Sequence, residues 1–173
     1  QAIMRAYGDR TGKGRLRSDS TLMESRPPQG NAIITAEFAP DIGESGTARY
    51  FALELKESDV DLKNLTSYQN EAAKGTFQRC MYAYTQWIKE TFLCSEEAKQ
   101  EWVRFLNCYF LSCREEFRKS GIRCHGLVPE VVAHLQMGMD FFLLFLKEKE
   151  VMDKESNAEI QQRFKEILYH LAA

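Results

Sequence analysis

The sequence predicts an α+β chain that is mostly α, with a small strand-bearing piece over residues 1–57 and a helical bundle over residues 58–173. Three observations predict this. Turn-forming Gly, Ser, Asp and Pro residues crowd the segment 8–30. Two short apolar runs, Ala32-Ile33-Ile34-Thr35-Ala36 and Tyr50 to Leu55, then have the length of strands. From Ser58 onward, apolar residues recur at helical spacing between residues suited to cap helices.

Each element follows in order. Gln1 to Ala6 reads as the tail of a helix, being too short and too polar for a signal peptide. Arg15-Leu16-Arg17, Ser18-Asp19-Ser20 and Thr21-Leu22-Met23 read as a hairpin, with Leu16 and Leu22 on one face and the arginines on the other. Pro27-Pro28 ends it, because proline cannot donate to a ladder. Asn31 to Phe38 reads as a buried strand. Asp41 to Gly46 is a polar loop, and Arg49 to Leu55 is a second strand whose unbroken apolar centre calls for cover on both faces.

The helical text begins at Ser58-Asp59-Val60-Asp61, an acidic first turn that suits the helix dipole. Leu62, Leu65 and Tyr68 continue it. A long amphipathic segment from Ala72 to about Leu93 places Phe77, Met81, Tyr84, Ile88 and Phe92 on one stripe. Ser95-Glu96-Glu97 caps the next helix, which carries Trp102, Phe105, Leu106, Tyr109, Phe110 and Phe117 and stops at Gly121. Pro129 opens another, running through Val131, Leu135, Met139, Phe142 and Leu146. Asp153 caps the last, with Ile160, Phe164, Ile167, Leu168 and Leu171. The aromatic stripes have the spacing of core packing.

Bulk numbers are those of a soluble globular protein: 44% hydrophobic, 28% charged and a net charge of -2. That net charge gives no overall attraction to nucleic acid. Its distribution is uneven, for residues 1–30 carry six Lys and Arg against three carboxylates. Five cysteines, Cys80, Cys94, Cys108, Cys113 and Cys124, form no C-x-x-C pair, and they read as reduced thiols in a cytoplasmic protein. Cys124-His125 lacks a second pair at metal-ligand spacing, so no metal is expected. His125, His134 and His170 are assigned no chemistry. The apolar run Phe141 to Leu146 is too short to span a bilayer, and no membrane is expected as a partner.

Three constellations carry candidate chemistry, each beside a plain alternative. Lys13, Arg15 and Arg17 lie on the Gly-flanked hairpin, where they would contact phosphates or simply face solvent. Thr35 and Glu37 stand at a strand end, where they would orient a water or sense a γ-phosphate, or else cap the strand or form a salt bridge. Arg49 opens the second strand, where it would reach a phosphoryl group across a subunit interface or sit in a rim ion pair. Gly8-x-x-x-Gly12-Lys13-Gly14 is not a phosphate-binding loop: it has one residue too few, no hydroxyl after the lysine and no strand before it.

Taken in order, these pieces are similar to one family. They are the basic hairpin, Arg26-Pro27-Pro28-x-Gly30, the run to Thr35-Ala36-Glu37, Pro40, Ser45-x-x-Ala48-Arg49, the second run, and Asp59-Val60-Asp61-x-x-x-Leu65-Thr66. They resemble the C-terminal half of the helicase-like AAA+ ATPases of phages and of integrative and cassette elements. These form a bacterial domain-of-unknown-function family, often primase-associated and related to MCM-type and superfamily-three helicases. Pro129-Glu130-Val131-Val132-Ala133-x-Leu135 to Phe145 resembles its helical C-terminal part.

The resemblance implies an ATP-dependent DNA helicase or replication ATPase of a mobile element, with partial α/β core at 1–57 and helical lid and extension at 58–173. It implies DNA contact by Lys13, Arg15 and Arg17, a sensor region at Thr35 and Glu37, and an arginine finger at Arg49. It further implies ATP and Mg2+ in the full-length protein, a ring oligomer, DNA and a primase as partners, and a cytoplasmic place. The chain departs from the family pattern at Thr47, Ala36 and Phe38. Walker A and Walker B segments are absent from these 173 residues, so the chain alone is expected to be inactive. The alternative is a non-enzymatic helical module that binds protein or DNA.

Overall fold

A computed structural model describes residues 50–173 and, before them, residues 7, 14, 16–24, 27, 28, 30 and 32–37. The chain divides into two units. One comprises Gln1–Ala52 with His125–Val131, the other Leu53–Cys124 with Val132–Ala173. The expectation for Gln1 to Ala6 lies outside the described residues.

In the first unit the hairpin shrinks to a turn closed by one antiparallel bridge, Leu16 to Leu22. The Arg17 amide donates to the Thr21 carbonyl at 2.8 Å, and the Ser20 amide to the Arg17 carbonyl at 3.0 Å. Asp19 fixes the turn by accepting from the Thr21 amide and hydroxyl at 3.0 and 2.6 Å. These bonds hold the Asp19 carboxyl below its usual range, the Thr21 hydroxyl contributing most.

Neither expected strand is found among the described residues. Residues 32–36 and 50–55 carry no ladder. Ile33 is 96% exposed, and Ile34, Leu53 and Leu55 are exposed as well. The physical reason is that a strand is defined by its pairing partner and covering layer, which a short apolar run cannot supply for itself. Among the described residues, the expected partial α/β core is seen only as one bridged turn and chain without a ladder.

The second unit is helical. A single 3-10 turn, Glu57–Asp59, closes with the Lys56 amide on the Asp59 carboxylate at 2.9 Å. Asp61 then caps α1 (Leu62–Ala73), accepting from the amides of Lys63 and Asn64. Gly75, at a φ of 74°, breaks the chain before α2 (Thr76–Phe92). That left-handed backbone is easy for glycine, and it divides the segment expected to run unbroken from Ala72. Ser95 caps α3 (Glu96–Lys119), whose acidic first turn and basic last turn both complement its dipole. Gly121, again at a φ of 74°, terminates it as expected.

Two further helices complete the bundle. α4 (Val128–Glu148) is the most apolar, and by length and composition it could cross a membrane. Its apolar residues Val132, Ala133, Met137, Leu143 and Phe145 are buried core. Asp153 caps α5 (Lys154–Leu171) through the amides of Glu155 and Ser156.

The core begins where small residues meet. Cys113 of α3 clusters with Ala133 and Met137 of α4, and Leu106, Tyr109, Phe110 and Phe141 pack around them. Cys113 and Ala133 are the small members of this cluster, and the larger side chains fill the space around them. A second layer is aromatic. Trp87 of α2 is buried against Tyr84, Phe92 and Phe145 with ring centroids 5.2–5.9 Å apart. The α2 stripe is covered only in its C-terminal half, for Phe77 and Met81 are 50% and 56% exposed.

Candidate functional site

The expected site residues fall in two groups. Arg17 lies exposed on the bridged turn, and Thr35 and Glu37 lie exposed on irregular chain rather than at a buried strand tip. Lys13, Arg15 and Arg49 lie outside the described residues. The described residues bring none of them together.

Among the described residues, the densest polar constellation is elsewhere, where α3, α4 and α5 meet. Asp140 of α4 accepts from the Tyr109 hydroxyl of α3 at 2.7 Å and from the Gln161 side chain of α5 at 2.6 Å. Asn157 of α5 donates to the Leu143 carbonyl at 2.8 Å. Lys165 of α5 pairs with Glu116 of α3. Burial pushes the Tyr109 hydroxyl well above the usual tyrosine range, and its bond to Asp140 pushes it further. The Cys113 thiol is also raised, by burial first and then by the carboxylates of Asp140 and Glu116. It therefore stays protonated and is a poor nucleophile. This network holds three helices in register and has the chemistry of a structural clasp.

The second constellation is an open aromatic cleft of about 350 Å³ between α2, α3 and α4. Thr91, Phe92, Glu101, Trp102, Phe105 and Phe141 are among its lining residues. Phe92 stacks on Trp102 at 3.8 Å and 12°, and the rings of Trp102, Phe105 and Tyr109 continue nearly parallel along α3. Phe141 meets all three edge-on. No group of three His, Cys, Asp or Glu side chains among the described residues could hold a metal ion.

Comparison with protein-family models, with curated proteins and with solved structures finds no match. The geometry alone therefore identifies the candidate surfaces.

Sequence reasoning missed Asp140, Gln161 and Glu101. Asp140 carried one readable signal: a carboxylate between Met139 and Phe141 in an apolar helix needs partners. Glu101 carried none, because the cleft it lines exists only once Phe92 of α2 and Phe141 of α4 stand beside Trp102 and Phe105 of its own helix.

Proposed function

We propose that the chain is the C-terminal part of an ATP-dependent DNA helicase of a mobile element. Residues 1–57 contribute a DNA-contacting hairpin, a sensor region at Thr35 and Glu37, and an arginine finger at Arg49. Residues 58–173 form the helical lid and extension. The observation that carries the reading is the order Arg26-Pro27-Pro28, Thr35-Ala36-Glu37, Arg49, Asp59-Val60-Asp61. Helical organisation beginning within three residues of that last motif supports it.

In this mechanism ATP with Mg2+ would be held at a subunit interface. Arg49 enters from the neighbouring subunit, and its guanidinium offsets the charge that develops on the transferring phosphoryl group. Lys13, Arg15 and Arg17 grip one DNA strand through its phosphates, and a primase is the companion enzyme. Arg49→Ala in the assembled ATPase should abolish turnover and leave nucleotide binding intact. Equal loss of both would make Arg49 structural and refute the role.

A second reading is a non-enzymatic helical module that docks a protein or DNA. The half-exposed Phe77 and Met81 on α2 favour it. ATP hydrolysis that requires Arg49 excludes it.

A further inference from the structure

The aromatic cleft combines three properties. Two of its lining rings share an orientation, Trp102 and Phe105 lying 5.6 Å apart at 19°, and Tyr109, outside the lining, continues the row 5.8 Å from Phe105 at 9°. Phe141 stands against them at 66–69° and fixes that orientation. The shelf is open, since Phe105 is 49% exposed. One charged residue lines the cleft, Glu101, and it has no hydrogen bond or ion pair among the described residues.

The cations of the same helical turns do not neutralise that carboxylate. Lys99 and Arg104 line a different depression on α3, with Glu96, Gln100 and Val103. Lys99 is paired there with Glu96 at 3.5 Å. The cleft thus sets half-exposed Phe105 beside a carboxylate that has no ion-pair partner among the described residues.

We propose that this cleft captures an arginine side chain, flanked by an apolar residue, from a partner protein. A guanidinium is planar and weakly hydrated, so it can pack against the exposed part of Phe105 at little desolvation cost. Its fork of donors can meet the Glu101 carboxylate at the same time. Lysine offers a compact, strongly hydrated charge with no plane to stack. A phosphate-bearing strand would bring like charge to Glu101. About 350 Å³ accommodates the arginine and part of its apolar neighbour. The inference is independent of the ATPase reading, because every residue in it belongs to the helical unit.

The test is NMR titration of the 173-residue chain with the blocked peptide acetyl-Leu-Arg-Leu-amide. Its citrulline and lysine counterparts and an oligothymidylate serve as comparison probes. The indole N–H signal of Trp102 reports the cleft, and that of buried Trp87 is the internal control. The arginine peptide should shift Trp102 saturably and leave Trp87 in place. Citrulline, Glu101→Gln and Phe105→Ala should each weaken binding about five-fold or more. Both substitutions are at exposed positions, so the fold should survive, and an unchanged Trp87 signal verifies that. Absence of a saturable Trp102 shift, equal binding of the citrulline peptide, or preferential binding of oligothymidylate would overturn the proposal.

Discussion

Trp87 is 4% exposed, and its indole nitrogen donates to the Glu148 carboxylate at 2.7 Å across 61 residues of chain. This bond ties α2 to the C-terminal end of α4. Its energetics follow from an asymmetry. Glu148→Ala leaves a buried N–H without its partner, which costs about 1–2 kcal/mol. Trp87→Phe removes the donor and leaves a carboxylate that water can solvate. Its cost, about 2–3 kcal/mol, comes from the lost bond and from the void beside Tyr84, Phe92 and Phe145. With the indole gone, Glu148→Ala should cost almost nothing. The double-mutant cycle should therefore return a coupling of about 1 kcal/mol or more. Urea unfolding followed by circular dichroism measures all four corners, and each 1 kcal/mol should lower Tm by about 4 °C. If Glu148→Ala is equally costly with and without Trp87→Phe, the bond contributes nothing, and α2 is held by ring packing alone.

Three further outcomes are expected. Phe117→Ala, which empties a site 1% exposed and removes the edge-on contact with Tyr169 at 4.9 Å, should cost about 3–4 kcal/mol in the same assay, whereas under 1 kcal/mol would mean the site collapses freely. Tyr109 is held protonated by burial and by Asp140, so its folded pKa exceeds its unfolded value. Its stabilisation is complete below about pH 10 and declines above it, where only the unfolded chain ionises. Tyr109→Phe should flatten that alkaline loss, and an absorbance titration in which every tyrosine ionises near pH 10 would contradict it. Removing Lys13, Arg15 and Arg17 together should reduce the salt slope of single-strand DNA binding by about two units. An unchanged slope would rule out phosphate contact.

The helices were legible because their ends are local events. Asp61, Ser95 and Asp153 each bond amides two or three residues away, so the sequence that names the cap also holds its partner. Gly121 ends α3 for the same reason. The two strands failed because the runs at 32–36 and 50–55 depend on a ladder partner that no local pattern can specify. On α2, helical spacing placed Phe77 and Met81 on the same stripe as Phe92, but it could not show that packing stops at Tyr84. The clasp at Asp140 and the cleft beside Glu101 escaped for a related reason. Each is assembled from three helices, and the residues from 91 to 165 that build them meet only after the bundle has formed.

The central claim is that Arg49 acts on a neighbouring subunit's nucleotide, and subunit mixing tests it directly. One population carries Arg49→Ala, and the other carries an intact Arg49 with its own nucleotide site disabled. Each alone should be inactive in ATP hydrolysis. Mixed before assembly, they should recover turnover, because some interfaces pair an intact nucleotide site with an intact arginine. A mixture as inactive as its components would contradict the account.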